Sequence, residues 1–365
     1  MSIINDIFRQ HSHEYLERFG NSIPSEHRKV INAILHCRTE TLGFTLYQCE
    51  DCGKTHSIFR SCGNRHCPGC QHSKTIRWLQ KQQSRQLPGD HFMITFTVPQ
   101  ELRAFIRSHQ RIAYQTLFSS SSGAIKTLAA DERIGSKMIP GFFGVLHTWG
   151  RQLQYHPHIH YVVPAGMLTK SGDQWHKTSS GFYMNVRALS KIFRAKFRDA
   201  MNAAGLLSDI PNEVWKTDWN VNCKPAGDGS AVQKYLAPYV FKVAISNSRI
   251  VSFKAGRVTI RYKKSNSNRL RTMILPAMEF IRRFLQHVLP TGFMKIRYYG
   301  FLHPSFFIPL ASIRSLITKA CQLAQKEGTT TQTPLTAGSA ICPDCGGPLI
   351  YLGSVLPYQD RLLTG

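Results

Sequence analysis

LHTWGRQLQYHPHIHYVVPAG, residues 146–166, is the stretch on which the reading of this chain turns. GFFGVLHTWG (141–150) and HPHIHYVVPAG (156–166) are two strand-like runs joined by the polar residues Arg151 to Tyr155, and they predict a hairpin. In the second run His156, His158 and His160 alternate, so on a strand they share one face, while Ile159, Tyr161 and Val163 take the other. A lone buried histidine is usually a satisfied core residue. Several on one face are costly to bury unless they hold a metal or touch an anion. A turn at Gln152 and Leu153 would set His147 opposite His158. Three imidazoles, His147, His158 and His160, then converge on one cation and leave positions open for a substrate oxygen. That is the arrangement of a catalytic metal, not a structural one.

Working outward, HFMITFTVP (91–99) has the pattern of a buried strand ended by Pro99, and a helix is expected from Glu101 to Ser119. Residues 186–204 read as a basic helix. AVQKYLAPYVFKVAI (231–245) predicts another, with Pro238 either kinking it or marking its first turn. Tyr235 and Tyr239 stand four apart and so share a helical face. A phenol, with a pKa near 10, is a weak nucleophile until a metal polarises the phosphate that it attacks. Periodicity alone also suits two core aromatics. Lys234 and Lys242 beside them fit a phosphate-facing segment. A second hairpin follows, RIVSF and RVTIRY around a Lys-Ala-Gly turn, and residues 272–325 are expected to be mainly helical.

Six of the ten cysteines lie between Cys37 and Cys70, in a segment too poor in large apolar residues to fold around a core. Cys49-x-x-Cys52 and Cys67-x-x-Cys70 have the spacing of two zinc knuckles that close one tetrahedral shell. Cys37, His56, Cys62 and His66 lie among them, available for a second site or as substitutes for one of the four. A closed four-ligand site is structural. Arg65, Lys74 and Arg77 beside it suit phosphate contacts. Cys342-Pro-Asp-Cys345 is a late half-site with no evident partners; Cys321 and His303 are the weak candidates.

The chain carries a net charge of +25 and a pI near 9.9, which points to a polyanion, nucleic acid first. No apolar run of about 18 residues suggests a membrane span. The start of the sequence lacks the apolar middle of a secretory signal. A cytosolic, DNA-facing protein is the simplest expectation.

His158-Ile159-His160 is an HUH motif, two histidines around a hydrophobic residue. With LHTWGRQLQYHPHIHYVVPAG and YLAPYVFKVAISNSRI (235–250), RSCGNRHCPGCQ (60–71) and HFMITFTVP in the same order, the chain closely resembles the two-tyrosine transposases of the insertion sequence 91 family and their common-region relatives. The resemblance covers roughly residues 25–305. It implies Mg²⁺ or Mn²⁺ at the HUH histidines and attack by Tyr235 or Tyr239 on single-stranded DNA, leaving a 5′-phosphotyrosine and a free 3′-OH. It implies structural Zn²⁺ in the N-terminal domain, rolling-circle transposition of an insertion sequence, and single-stranded DNA at element ends and target as substrate. Host replication machinery is the implied partner, and the bacterial cytoplasm, at the nucleoid, the implied place. For the third ligand the relatives favour His147, with Gln233 or His156 as alternatives.

The expected fold is α+β, an HUH-nuclease-like antiparallel sheet covered by helices behind a small N-terminal zinc module. The expected divisions are a helical segment (1–36), a zinc module with its exit helix (37–86), the nuclease domain (87–265), a helical basic region (266–325), and a linker with the CxxC tail (326–365). A relaxase or plasmid replication initiator would share the chemistry. A non-catalytic zinc-finger DNA-binding protein, or a zinc hydrolase needing no tyrosine, are the rivals from other classes.

Overall fold

The computed structural model describes residues 2–131, 138–178, 181, 183–241, 245–263, 267, 269–321 and 340–357, without the side chains of Pro238, Tyr239 and Phe241. The fold is α+β, with antiparallel sheets packed against helices. Among the described residues, five strands form the central sheet in the order Ile296–Tyr299, Phe142–Trp149, Tyr155–Pro164, His91–Thr97, Asn220–Pro225. Every neighbouring pair is antiparallel.

The histidine strand, Tyr155–Pro164, is the middle strand, and its period of two separates two cores. Ile159, Tyr161 and Val163 join Phe92, Ile94, Phe96, Phe142 and Leu146 on one face. There they meet Leu117 and Phe118 of the helix Gln110–Ala129 and Phe193 and Phe197 of Val186–Ala203. Phe143, Val145 and Val162 point the other way, onto Leu236, Ala237 and Val240 of the helix Ser230–Phe241 and Trp78 of His72–Arg85. Fully burying one such side chain is worth about 1.5–3 kcal/mol, so this alternation fixes which face the histidines take.

The hairpin closes in a tight turn. The Gly150 N–H donates to the Gln154 carbonyl (2.9 Å), and Leu153 sits at φ 61° with its side chain buried. A non-glycine residue rarely adopts that conformation; burial of the leucine holds it there. Arg283 donates to the Gln152 carbonyl and His287 contacts the Leu153 carbonyl, so the turn is clamped from outside.

A second core joins the N-terminal helices Ile3–Phe19 and Ser25–His36 to the strands Ile250–Lys254, Arg257–Lys263 and Leu270–Pro276 and the helix Ala277–Leu285. Ala255 and Gly256, both at positive φ, make the tight turn between the first two of these strands. Cys37, Cys67 and Cys70 belong to the same core, so the first cysteine segment is built into the molecule and is not an appended module.

Three expectations need correction. Residues 272–325 are not mainly helical: Leu270–Pro276 is a strand, and Ile296–Tyr299 is an edge of the central sheet. A four-residue strand is too short to show an alternation, and its partner lies about 150 residues upstream. Of the two roles expected for Pro238, the first turn is excluded, since the helix runs Ser230–Phe241 with the proline well inside it; having no N–H, Pro238 gives the ladder no bond there. The tail also differs. Leu349–Val355 pairs with Phe44–Cys49, which pairs in turn with Thr55–Phe59, giving a three-stranded ribbon made from both ends of the sequence. The linker expected over 326–340 lies, apart from Ala340, outside the described residues.

Gly144 pairs with Tyr161, and a methyl group added at Gly144 would stand 2.4 Å from that ring. The ring is pinned, since its hydroxyl bonds Ser121 Oγ at 2.7 Å. Gly144→Ala is expected to destabilise the protein by about 1–3 kcal/mol in denaturant unfolding, as an overpacked core does; an unchanged midpoint would show that the ring yields.

Candidate active site and metal centres

The strands Phe142–Trp149 and Tyr155–Pro164 pair with His147 opposite His158. Because His158 and His160 are two apart, all three imidazoles point to the same side of the sheet, at the end of the face covered by the helix Ser230–Phe241. Their candidate ligand atoms lie within 4.8 Å of one another. Ring centroids are 5.4 Å apart for His147 and His158, and 4.7 Å for His160 with either.

The rings are also oriented. His158 Nδ1 lies 2.7 Å from the His156 carbonyl, which can only accept, so Nδ1 carries the proton and Nε2 presents its lone pair. His160 Nδ1 lies 2.9 Å from Thr95 Oγ1 on the adjoining strand; with that nitrogen donating, its Nε2 is likewise available. His147 stacks on Trp149, centroids 4.6 Å apart at 18°. Burial, then the nearness of the other rings, holds His147 and His158 well below the ordinary imidazole range, and burial with His156 beside it pushes His160 down to about 4. All three are neutral at pH 7, as ligation requires. Three neutral nitrogens fit a divalent transition ion better than Mg²⁺, which prefers oxygen.

Of the alternative third ligands, His156 has its ring centre 5.1 Å from that of His158 but is not in the group of three. His156 is half-buried and its Nδ1 lies 2.6 Å from Arg103 Nη2. Gln233 is buried and lines a pocket with Gln82, His91 and Phe143.

Tyr235 is 51% exposed, and its ring centre is 6.3 Å from that of His160. Tyr239 lies one helical turn further on; its side chain is outside the described residues, as is Lys242 altogether. Lys234 is exposed on the same helix, and Lys74 and Arg77 are exposed on the neighbouring helix His72–Arg85. Arg65 is different: it donates to the Phe293 carbonyl at 2.7 Å and so ties two segments together.

Sequence reasoning missed Thr95, Trp149, Arg103 and Lys295. The lysine's Nζ lies 4.6 Å over the Trp149 ring, and burial, then Arg65, pushes it down to about 7. Strand pairing could have found Thr95. Nothing local marks Arg103 or Lys295, which arrive from distant segments.

Eight of the ten cysteines sort into two clusters, not into one formed by Cys49, Cys52, Cys67 and Cys70. Cys67 and Cys70 meet Cys37 and Cys62, with Cys70 Sγ 3.2 Å from Cys37 and 3.6 Å from Cys62. Cys49 and Cys52 meet Cys342 and Cys345 instead. Tetrahedral zinc with bonds of about 2.3 Å sets its sulfurs about 3.8 Å apart, close to these spacings. His66 is buried elsewhere, where its Nε2 accepts from the Leu289 N–H; His56 Nε2 is 3.2 Å from Cys342 Sγ. Cys321 and His303 are in neither cluster.

Residues 141–306 match the family described as "Putative transposase", and residues 7–98 match the transposase zinc-binding domain. The Sinorhizobium fredii protein y4qJ, described in the same words as the first family, is 38% identical over 320 residues, 82% of this chain and 80% of that protein. The transposase for insertion sequence element IS801 of Pseudomonas savastanoi pv. phaseolicola is 28% identical over 298 residues, 75% of this chain and 70% of that protein. No solved structure matches. A zinc-binding domain followed by a transposase domain is the make-up of a DNA-mobilising protein. The chain belongs to the insertion sequence 91 family of transposases.

His158 is half-buried, so His158→Ala leaves the core intact. It is expected to lower Mn²⁺ affinity at least tenfold in an equilibrium titration and to shift the melting temperature by only a few degrees. Thr95→Val keeps the shape and removes the bond to His160; a loss on the order of tenfold is expected there too. Unchanged Mn²⁺ binding by both variants would remove the three histidines as a metal centre.

Proposed function

We propose that this transposase nicks and rejoins single-stranded DNA through Tyr235 or Tyr239, beside a divalent cation held by His147, His158 and His160. The observation that carries the reading is the half-exposed phenol of Tyr235 next to three neutral, oriented imidazoles, those of His147 and His160 buried and that of His158 half-buried. A hydroxyl at the surface is open to a polymer; the imidazoles below it have no competing proton at neutral pH. When bound, the cation withdraws charge from the scissile phosphate and stabilises the added negative charge of the transition state.

The chain's own residues do the rest. The helix Ser230–Phe241 sets the tyrosine hydroxyl against the phosphate. The phenol oxygen bonds to phosphorus as its proton leaves to solvent, the bond from phosphorus to the 3′-oxygen breaks, and the departing oxygen takes up a proton. The 5′ phosphate stays on the tyrosine and the 3′-OH is free. Attack by a 3′-OH on the phosphotyrosine reverses the step and joins strands without an external energy source. Two tyrosines on one helix suit a donor and a target strand in turn, as rolling-circle movement of an insertion sequence needs. In that scheme the 3′-OH primes synthesis by the host replication machinery. Thr95 and the His156 carbonyl hold the ligand rings, and Lys74, Arg77 and Lys234 offer exposed charge for the phosphate backbone. The same reading assigns the four thiols of Cys37, Cys62, Cys67 and Cys70 to a structural zinc inside the second core.

Labelled single-stranded DNA carrying an element end, incubated with Mn²⁺ and run on a denaturing gel, tests the chemistry. A covalent protein–DNA band is expected with the native protein and none with the double variant Tyr235→Phe, Tyr239→Phe, which keeps both rings. The double variant should bind the same DNA within about twofold. Cut fragments without a covalent band would mean hydrolysis by water, and a phosphonucleotide mapped to any other residue would refute the assignment.

Binding of that DNA should weaken steeply with salt. For about six phosphate contacts on a single strand, log K against log salt should fall with a slope near −4, on about −0.7 per contact. A flat response would assign the +25 charge to something other than DNA.

A further inference from the structure

The two ends of the sequence meet in the three-stranded ribbon, and they meet through sulfur. Cys49 Sγ is 3.4 Å from Cys345 Sγ, and Cys52 Sγ is 3.8 Å from Cys342 Sγ. The two loops that present them have the same backbone build. In Cys49-Glu-Asp-Cys52-Gly53-Lys54 the Gly53 N–H donates to the Cys49 carbonyl (3.0 Å) and the Cys49 N–H to the Lys54 carbonyl (2.9 Å). In Cys342-Pro-Asp-Cys345-Gly346-Gly347 the Gly346 N–H donates to the Cys342 carbonyl (2.9 Å) and the Cys342 N–H to the Gly347 carbonyl (2.8 Å). Gly53 and Gly346 both sit at positive φ, 71° and 81°, which a glycine adopts freely. Two loops of one design, nearly 300 residues apart, therefore aim four sulfurs at one point.

We propose that Cys49, Cys52, Cys342 and Cys345 form a second tetrathiolate zinc site, independent of the first, and that its ion holds the C-terminal strand on the N-terminal ribbon. The family matches, over 7–98 and 141–306, do not reach Cys342 or Cys345. Burial does not hold this strand. Ile350, Tyr351, Leu352 and Val355 are 48%, 57%, 53% and 45% exposed. The ion pair between Lys54 and Asp344, 2.8 Å, is exposed too, and such pairs contribute little. A Cys₄ site supplies what the apolar surface lacks, since folding around zinc and binding it are one event. The contacts around it favour thiolate. The Gly347 N–H reaches Cys345 Sγ at 3.5 Å, and His56 Nε2, 3.2 Å from Cys342 Sγ, can donate to it. This site also differs from the first in access: Cys52 and Cys345 are exposed, whereas Cys37, Cys67 and Cys70 are buried and Cys62 is partly so.

The test is the zinc content of the full chain, prepared under reductant, measured by elemental analysis and native mass spectrometry. With the histidine site disabled by His158→Ala in every sample, two ions per chain are expected with the cysteines native, and one for the variant Cys342→Ser, Cys345→Ser. In that variant amide exchange over Leu349–Val355 should rise to that of an unpaired strand, while exchange over Ile3–Phe19 should stay native. A chelating dye should strip the chain with native cysteines in two phases, with the first ion leaving at least tenfold faster. Cobalt titration of the stripped chain, read by the thiolate-to-cobalt bands, which the histidines cannot give, should saturate at two equivalents. One ion with the cysteines native overturns the proposal, as do two in the variant or cobalt saturation at one equivalent. A native mass showing the four sulfurs as disulfides would overturn it equally, and loss of both ions from the variant would refute independence.

Discussion

The pairing of Phe142–Trp149 with Tyr155–Pro164 is the constraint on which the rest depends, because a strand has only two faces and this one uses both fully. A slip of one residue would turn Ile159, Tyr161 and Val163 toward the tyrosine helix and the imidazoles into a core of phenylalanines. The register is held from several sides at once: by the core beneath, by the tight turn at Leu153, and by the contacts of His287 and Arg283 with the turn's carbonyls. The geometry of the histidines is thus a consequence of packing. Nothing in the site has to be paid for by local strain beyond the one leucine in the turn.

That arrangement gives the imidazoles three properties together. They are dehydrated, which keeps them neutral; they are oriented by Thr95, the His156 carbonyl and Trp149; and they are reached from the surface past Tyr235. Burial alone would make a silent core, and exposure alone would leave protonated, mobile rings. The helix Ser230–Phe241 reconciles the two, since its buried side covers the sheet through Leu236, Ala237 and Val240 while Lys234 and Tyr235 face outward.

The cysteines follow a different logic. Their segment has few large apolar residues, so its order comes from being joined to something else. Cys37, Cys67 and Cys70 sit in the core shared by the N-terminal helices and the helix Ala277–Leu285, and Cys49 and Cys52 face the end of the chain. The cysteine segment therefore does not stand apart from the transposase domain. It touches both the structure behind the hairpin turn and the C-terminal strand.

The sequence by itself determined what depends on near neighbours. Alternation in HPHIHYVV fixed the shared face of the histidines, the polar stretch fixed the turn, and counting from that turn placed His147 opposite His158. Helices around Leu117, Phe193 and Tyr235 were legible, although the one expected over Glu101 to Ser119 is two, Leu102–Ser108 and Gln110–Ala129, and the CxxC pairs were legible from spacing. Only the tertiary structure decided what depends on distant ones. Spacing cannot say which CxxC meets which: Cys49 and Cys52 look as ready for Cys67 and Cys70 as for Cys342 and Cys345. The ribbon strand that carries one pair to the other end of the chain settled it. Likewise Ile296–Tyr299 is a strand because Phe142–Trp149 offers it an edge, and Arg103 reaches His156 because a helix crosses there. Local pattern is set by bonds a few residues long, whereas cysteine clusters and sheet edges are closed by segments that meet only once the chain has folded.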